Sequence, residues 1–226
     1  MSLKYRRVMA SYKKVAGGWW LAGGISATNC IAVYQPIRAA SYAASLVDLS
    51  GNGNDAVTVT APDFNTAIGW TFDSANSEYL TTSVVLNNYS THTSFIISYD
   101  ADNGGYALGS YSTSSNRYGT HNHASNAGIY IANGNLVYSA LTGAMDDYHV
   151  IGTRNEDGYI DGVVVADSHF VGGDRNNIYP FYIGARNYRD DHIDAVFSGK
   201  IRAIAAYNLE ITSAQVIAVT KAMNAL

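Results

Sequence analysis

The sequence predicts an all-β protein, a sandwich or barrel of short antiparallel strands, and three observations support this. Segments rich in β-branched and aromatic residues recur along the chain, for example at Val57–Thr60 and Thr93–Ser98. Turn signals such as Asn133-Gly134 and Asp157-Gly158 separate these segments. The 226 residues include only 3 prolines, so few strands are interrupted, and this length fits one large β-domain.

Composition narrows the class of protein further. Apolar residues make up 47% of the chain, which is enough for a sizeable core and excludes a disordered protein, while charged residues make up only 14%. The 18 tyrosines suit surfaces that recognise partners, including copies of the same chain, through flat rings and neutral hydrogen bonds. The formal net charge of −4 gives no reason to expect nucleic acid as a partner. Cys30 is the single cysteine, so no internal disulfide forms.

The start of the chain differs from the rest, and we interpret residues 1–25 as an N-terminal arm or anchor and residues 26–226 as the β-domain. The arm is first basic and then rich in glycine and tryptophan. Indole rings are too apolar to be left in water, so we expect them to pack on the domain, on a neighbouring subunit or on a larger assembly. The alternative is that this segment is the first strand of the domain. The residues expected to anchor the chain are Arg6, Arg7, Trp19 and Trp20.

Two short helices and no membrane span are expected. Residues 37–47 contain good helix formers and predict a short helix. Thr212 and Gln215 have the spacing of a capping box, with Ile211 before the cap, and apolar residues at helical spacing follow. A short amphipathic helix is therefore expected to close the chain. Residues 15–34 are uncharged, but they hold too many glycines and polar residues for a spanning helix.

Three stretches resemble laminin-G-like members of the concanavalin-A-like lectin superfamily. Asp48-Leu-Ser-Gly-Asn-Gly-Asn54 is similar to the family's D-x-S-G-N-G-N opening. Tyr148-His-Val-Ile-Gly-Thr-Arg154 is similar to its W-H-h-x-x-T-R hairpin, with Tyr148 where Trp is usual. Phe197-Ser-Gly-Lys-Ile201, followed by Tyr207-Asn208, is similar to its F-x-G-x-I and Y-N pattern. The resemblance implies an antiparallel jelly-roll β-sandwich of two curved sheets, to which the N-terminal arm and the C-terminal helix are added.

A narrower resemblance concerns the first part of the chain. The segments 17–25, 29–36 and 39–45 resemble the openings of laminin-G-like proteins encoded among tailed-phage and prophage virion genes. This resemblance implies a virion surface component, either a head or tail fibre or a decoration protein. Its partners would be other virion proteins and copies of itself, and it would be made in the host cytoplasm. The alternative location is extracellular or at a cell surface.

No enzymatic activity is expected from the carboxylates. Glucanases of this superfamily use a Glu-x-Asp-x-Glu strand, which places three carboxylates on one face. The three glutamates, Glu78, Glu156 and Glu210, are far apart in this sequence. Asp100 and Asp102 are the nearest same-face pair, but glycines follow them and favour a turn. We therefore predict no catalytic residues.

No cofactor or metal site is assigned. His121 and His123 have the spacing to share a metal, but no third ligand is identifiable. The family resemblance allows Ca²⁺ at a sheet edge, although its ligands are not assignable in this sequence. Hydrogen-bonded loop aspartates are the alternative interpretation of the same residues, which are Asp48, Asp55, Asp190, Asp191 and Asp194.

Two segments combine rings with planar polar groups, as carbohydrate binding requires. An ordinary polar surface or a contact between subunits is the alternative for both. The candidate ligand-binding residues are Arg117, Tyr118, His121 and His123 in the first segment, and Arg186, Tyr188 and Arg189 in the second.

The favoured hypothesis is a non-catalytic virion surface module that mediates assembly, adhesion to host-surface glycans, or both. The alternatives are a free or cell-surface carbohydrate-binding lectin and a purely structural subunit that assembles with itself.

Overall fold

A computed structural model describes residues 18–85, 94–102, 104–113, 116–123, 126–131, 135–142, 148–154, 157–165, 178–189 and 192–226. Within these ranges the chain forms two β-sheets and a C-terminal helix, and the predicted all-β fold class is confirmed. Strands are numbered β1 to β17 in chain order. The described helices are α1 (Tyr42–Ser45) and α2 (Ser213–Asn224).

Sheet A has eight strands among the described residues. Their order is β13-β12-β11-β6-β17-β4-β3, and β1 also pairs with β17. All of these pairings are antiparallel. The strands are β1 (Cys30–Tyr34), β3 (Asp63–Asn65), β4 (Gly69–Phe72), β6 (Ser94–Ala101), β11 (His149–Arg154), β12 (Asp157–Ile160), β13 (Val163–Val165) and β17 (Gly199–Tyr207).

Sheet B has nine strands within the described ranges. Its order is β10-β9-β8-β7-β14-β5-β2, and the β15–β16 hairpin joins it through a parallel pairing of β15 with β7. The strands are β2 (Val57–Thr60), β5 (Tyr79–Thr81), β7 (Gly105–Thr113), β8 (Asn116–His123), β9 (Asn126–Ile131), β10 (Asn135–Thr142), β14 (Tyr182–Ile183), β15 (Arg186–Tyr188) and β16 (His192–Asp194).

The main hydrophobic core lies between the two sheets. Sheet A contributes Trp70 and Tyr34 to it, sheet B contributes Leu80 and Ile183, and all four are fully buried. The Nε1 of Trp70 donates to the Oγ of Ser45 across 2.8 Å, so the indole N–H is satisfied inside the core. Each such side chain stabilises the fold by about 1.5–3 kcal/mol through burial.

A second core lies on the outer side of sheet A, beneath α2. Because side chains alternate along a strand, Ala206 of β17 enters the main core while Ala205 and Tyr207 enter the second. The helix begins at the expected capping box, in which Gln215 N donates to Thr212 Oγ1 and Thr212 N donates to the glutamine side chain. The molecule therefore has three layers: sheet B, sheet A, and α2. The helix contributes Val216, Val219 and Met223 to the second core.

The start of the described chain belongs to the α2 layer. Trp19–Leu21 form a single 3-10 turn, so these three residues of the expected arm are not part of a strand. Trp19 Nε1 donates to Gln35 Oε1 across 2.8 Å, and Tyr207 OH donates to the carbonyl of Trp20 across 2.8 Å. Both indoles pack against the second core. In the remainder of the arm, Arg6 and Arg7 lie outside the described residues.

The helix expected over residues 37–47 is shorter than predicted. The observed α1 begins after Ser41, whose hydroxyl accepts from Ala44 N across 3.2 Å. Arg38 has φ of 63°, a left-handed conformation that a helix does not allow. The backbone of Ala39 donates to the Pro36 carbonyl, which closes a turn instead. Residues 37–40 therefore form a turn after β1 and not a helix, although their helix propensity is good.

None of the helices within the described ranges has the length and apolar character needed to cross a bilayer.

Candidate functional site

The two segments singled out as candidate binding sites flank the same strand. Arg117 and Tyr118 lie on β8, which pairs with one edge of β7, while Arg186 and Tyr188 lie on β15, which pairs with the other edge. In the backbone register, Tyr111 of β7 stands opposite both Arg117 and Tyr188. The fold therefore places two segments about 70 residues apart in sequence within one sheet. His121 and His123 lie further along β8, and His121 stands opposite Tyr106 in the backbone register.

Arg186 is at the centre of a group of side chains on sheet B. Its Nε donates to Asp194 Oδ1 across 2.6 Å, and its Nη2 donates to Asp194 Oδ2. Its Nη1 donates to the hydroxyl of Tyr106 across 3.2 Å. A bidentate guanidinium–carboxylate pair of this kind fixes both partners in orientation. The tyrosine–arginine cluster, as we call this group, consists of Tyr106, Tyr111, Arg186, Tyr188, His192 and Asp194.

The guanidinium of Arg186 also lies among aromatic rings. Its Cζ is 4.9 Å from the ring centroid of Tyr106, 5.0 Å from that of Tyr111 and 5.7 Å from that of Tyr188. Contacts of this length are attractive, because the ring face is electron-rich. Burial acts to lower the pKa of Arg186, but the hydrogen bond and charge of Asp194 outweigh it and raise the pKa above its usual range. Arg186 is therefore a permanent cation, and its contacts with the three rings stabilise their arrangement.

The rings of the cluster are stacked across neighbouring strands. Tyr111 and Tyr188 have centroids 4.5 Å apart and planes only 16° apart, and His192 lies 4.4 Å from Tyr188 on the other neighbouring strand. Direct cross-strand neighbours are close enough for such ring contacts. Arg189 is exposed at the end of β15, with its Cζ 5.3 Å from the Tyr188 ring. The result is an aromatic platform in which Tyr111 is buried, Tyr188 is half-buried, and Arg189 and His192 are exposed at its margin.

Backbone contacts explain why the platform forms at this position. An added Cβ on Gly109 would lie 2.9 Å from the Tyr106 ring and 3.0 Å from Arg186 Cα, so only glycine lets β15 approach β7 this closely. Asn187 alternates with Arg186 and Tyr188, is fully buried, and donates to the carbonyl of Pro180 across 2.9 Å. The buried amide fixes the strand so that its neighbours point away from the core.

Sequence reasoning found three residues of this region as binding candidates, named a fourth for another role and missed three. Arg186, Tyr188 and Arg189 were identified by their local clustering. Asp194 was named as a calcium ligand or, alternatively, a hydrogen-bonded aspartate, and it is paired with Arg186. Tyr106, Tyr111 and His192 were missed because they come from β7 and β16. The parallel pairing of β15 with β7 is a long-range feature that no short motif signals. The only local signal was period-2 alternation of Gly109 and Tyr111, which marks one face of a strand.

The carboxylates considered for catalysis have structural partners. Asp100 Oδ2 accepts from Lys200 Nζ across 2.9 Å, and this hydrogen bond raises the pKa of Lys200. Glu78 Oε2 accepts from Asp73 N across 2.7 Å, and its Oε1 accepts from Asn76. These interactions explain the two side chains as supports of a strand pair and a turn. Glu156 lies outside the described residues.

Asp48 belongs to a loop that covers the free edge of β1. Its carboxylate accepts from Val33 N, Ser50 N, Ser50 Oγ and Asn54 N at distances of 2.8 to 3.1 Å. Three side chains of the loop also donate to the carbonyl of Ile31. Edge strands need such protection because their backbone groups would otherwise pair with another chain. The D-x-S-G-N-G-N motif therefore has a structural role in this fold.

A metal site is not evident in the part of the chain that the structure describes. No three His, Cys, Asp or Glu side chains there come together as ligands. Asp55 Oδ1 accepts from Asp48 N, and Asp194 is paired with Arg186. These contacts agree with the interpretation of both residues as hydrogen-bonded aspartates. Asp190 and Asp191 lie outside the described residues, so both interpretations of these two aspartates, a calcium ligand and a hydrogen-bonded loop residue, stay untested.

Two sheets packed face to face, with a helix on one outer face and an aromatic cluster on the other, define a β-sandwich. No family model matches the chain, and no curated protein matches it. Solved structures do match. Trypanosoma rangeli sialidase in complex with 2,3-difluorosialic acid aligns with a TM-score of 0.63 at 13% identity, over 98% of this chain and 40% of the sialidase. This chain thus spans about two fifths of that protein.

Two further structures are similar. Domain 4 of AbnA, a GH43 extracellular arabinanase from Geobacillus stearothermophilus, in complex with arabinotriose, aligns with a TM-score of 0.60 at 12% identity. That alignment covers 85% of this chain and 98% of the arabinanase domain. The binding domain of Paraclostridial Mosquitocidal Protein 1 aligns with a TM-score of 0.60 at 13% identity, over 86% of this chain and 52% of that one. At these identities the likeness concerns the fold.

Proposed function

We propose that this protein is a non-catalytic adhesion module that binds carbohydrate on the outer face of sheet B. The observation that carries the proposal is the Tyr111–Tyr188 stack held by Arg186. Aromatic rings offer an apolar surface to the C–H face of a sugar, and exposed planar groups offer hydrogen bonds to its hydroxyls. Tyr188, Arg189 and His192 provide these two kinds of contact side by side. Arg186 and Asp194 hold them in position.

The similar structures support carbohydrate as the ligand class. An arabinanase domain of nearly the same extent was solved with arabinotriose, and the Trypanosoma rangeli sialidase was solved with sialic acid. The sandwich fold is thus one that occurs in proteins which handle sugars. Strand β8 pairs with the other edge of β7 and combines rings with planar polar groups in the same way. We propose its residues Arg117, Tyr118, His121 and His123 as secondary contacts to the sugar.

Glycan-array binding with matched variants tests the proposal. Tyr188→Ala and Arg189→Ala should abolish or weaken binding by at least about tenfold. Tyr148→Ala is the control, because Tyr148 also lies beneath an arginine, with Arg202 Cζ at 4.6 Å from its ring, but belongs to the sheet A side. The control should bind as the parent does. A blank array, or equal losses in all three variants, contradicts the proposal.

Assays for hydrolysis test the non-catalytic part. Chromogenic sialosides and arabinofuranosides should remain intact with the purified protein. Turnover that disappears on a single carboxylate substitution, for example Asp100→Asn, would show that the protein is an enzyme.

We further propose that the module is displayed on a virion surface. Support comes from the resemblance of its opening segments to those of phage virion proteins, and from the polarity of the fold. Trp19 and Trp20 pack in the α2 layer on the outer side of sheet A, while the tyrosine–arginine cluster lies on the opposite side of the molecule, on the outer face of sheet B. An attachment made through the N-terminal side therefore leaves the cluster accessible. A free or cell-surface lectin and a self-assembling subunit are the competing roles.

Immunogold electron microscopy of purified particles distinguishes these roles. Labelled particles support display, and particles that lack the protein contradict it. A variant without residues 1–17 keeps Trp19 and Trp20 in their packing and removes Arg6 and Arg7. Loss of particle association in this variant, with the fold intact, identifies the basic segment as the attachment. Association that survives the deletion unchanged excludes it.

A further inference from the structure

A second tyrosine stack lies on the same sheet as the tyrosine–arginine cluster. Tyr79 of β5 and Tyr182 of β14 have ring centroids 5.7 Å apart and planes 28° apart. Their strand neighbours Leu80 and Ile183 are fully buried in the main core. Because successive side chains of a strand point to opposite faces, both tyrosines point outward from sheet B.

The register of β7 relates the two stacks. Tyr182 stands opposite Gly109, and Tyr188 stands opposite Tyr111, two residues further along the same strand. Two residues of strand correspond to about 7 Å. Gly109 itself adds no side chain between the stacks. The two aromatic surfaces are therefore neighbouring positions on one face.

Past the second stack, the outward residues that the structure describes on this face are uncharged. Val57 and Val59 of β2 are 59% and 52% exposed, although valine is a residue that usually enters a core. Thr81 of β5 pairs with Val57, and its hydroxyl donates to the Val57 carbonyl. The outward residues of β2, β5 and β14 are thus aromatic, aliphatic or hydroxyl-bearing. Among the described residues, the charged groups of this face lie on the β15–β16 side, at Arg186, Arg189 and Asp194; Arg186 also stands opposite Gly109 and is paired with Asp194.

We propose that Tyr79 and Tyr182 form a second sugar subsite, so that the protein binds a linear, uncharged segment of a polysaccharide across both stacks. This inference rests on the proposed carbohydrate-binding function and specifies its ligand class. The first sugar contacts Tyr188 and Arg189, and the following sugars of the same chain extend over Tyr182 towards β2. A neutral polymer fits because the described outward residues of β2, β5 and β14 have apolar and hydroxyl groups but no charges to pair with an ionised sugar. Linking two weak contacts in one ligand raises affinity well beyond that of either contact.

Calorimetric titration with oligosaccharides of increasing length tests the subsite. The probes are arabino-oligosaccharides and cello-oligosaccharides of one to six residues, with sialic acid oligomers of the same lengths as the charged series. For a neutral series, affinity should rise by about tenfold or more between the shortest and the longest bound fragments. Tyr182→Ala should remove this rise and leave the shortest fragment unaffected. Tyr182→Phe, which keeps the ring, should behave as the parent protein does.

The outcomes separate this inference from the proposed function. Affinity that is independent of length, or a Tyr182→Ala variant that weakens the shortest fragment equally, overturns the second subsite and leaves glycan binding in place. A preference for the charged series overturns the neutral ligand class. Absence of binding to every series contradicts the proposed function and the subsite together. Denaturation midpoints of the two variants, measured alongside, show that each is folded.

Discussion

The Nε of Arg186 and the Oδ1 of Asp194 lie 2.6 Å apart, and a second hydrogen bond joins Nη2 to the other carboxylate oxygen. This pair joins the two strands of the β15–β16 hairpin next to the Tyr111–Tyr188 stack. Its main role is to position side chains, since Tyr111 is buried and the groups open to a ligand are the half-buried Tyr188 and the exposed Arg189 and His192. The pair is mostly shielded from solvent on the arginine side and more open on the aspartate side, with side-chain exposures of 14% and 32%.

Removing the carboxylate should loosen the platform. Asp194→Ala leaves a partly buried guanidinium without its ionic partner, and we expect the free energy of unfolding to fall by about 1–3 kcal/mol. Guanidinium chloride titration measures this loss. Asp63→Ala, at an exposed aspartate of β3, is the control and should change stability by less than about 0.5 kcal/mol. Equal effects of the two substitutions would show that the pair contributes nothing specific.

Loss of the hydroxyl should affect the free energy of unfolding differently at two buried tyrosines. Tyr34 OH donates to the carbonyl of Asn54 across 2.6 Å, whereas Tyr99 OH is buried and has no hydrogen-bond partner among the described residues. Tyr34→Phe should therefore lower the free energy of unfolding by about 1–2 kcal/mol, because it orphans a carbonyl. Tyr99→Phe should leave it unchanged or raise it, because a buried unpaired hydroxyl is costly. Thermal and chemical denaturation compare the pair, and a large loss in Tyr99→Phe would refute the second expectation.

Loss of the capping box should lower the free energy of unfolding by destabilising the α2 layer. Thr212→Ala removes the oxygen that accepts from Gln215 N, and we expect a loss of about 1 kcal/mol. Thr212→Ser keeps the oxygen and should retain most of the stability. If both variants lose the same amount, the methyl group rather than the hydrogen bond explains the effect. Chemical denaturation followed by tryptophan fluorescence is suitable, since Trp19 and Trp20 pack in this layer.

Cys30 should be inert in the folded protein and should make stability depend on pH. Burial, with a smaller contribution from the charge of Asp48, raises the pKa of Cys30 from 9.0 to about 12. Between these values the unfolded thiol loses its proton while the folded one keeps it, so the free energy of unfolding falls as pH rises. The slope from this group is at most about 1.4 kcal/mol per pH unit. Cys30→Ala should lack this part of the decline.

Alkylation provides an independent measurement of the same group. Iodoacetamide at pH 8.5 should modify Cys30 only under conditions that unfold the protein. Rapid modification of the native protein would show that the thiol is accessible.

The fold was predictable because its signals are local. The Tyr148–Arg154 motif leads into β11, which β12 and β13 follow, and Asp161-Gly162 forms the turn between β12 and β13 with φ values of 51° and 80°, as such two-residue turns require. Asp157-Gly158, interpreted as a turn signal, instead begins β12. The cap at Thr212 was equally visible. The helix over residues 37–47 was wrong in extent because propensity is a weak signal where the chain must turn.

The candidate site was predictable only in part because its members meet through pairings distant in sequence. Tyr111 and Tyr188 are 77 positions apart and become neighbours only when β15 lies parallel to β7. Gly109 permits that approach, but a glycine in a strand does not identify its partner. Composition could mark Arg186 and Tyr188 as chemically suitable. Composition could not show that Arg186 forms an ion pair with Asp194 or that the Tyr111 ring stacks on Tyr188.

The pairing of β1 with β17 has a consequence for how the protein reaches its native state. Cys30 stands opposite Tyr207, so β1 finds its partner only after the following 177 residues have been synthesised. Contacts so distant in sequence are entropically costly to form early, and folding dominated by them is slow. A nascent chain must therefore keep its apolar strands exposed for a long interval, during which helper proteins that delay aggregation have most to contribute.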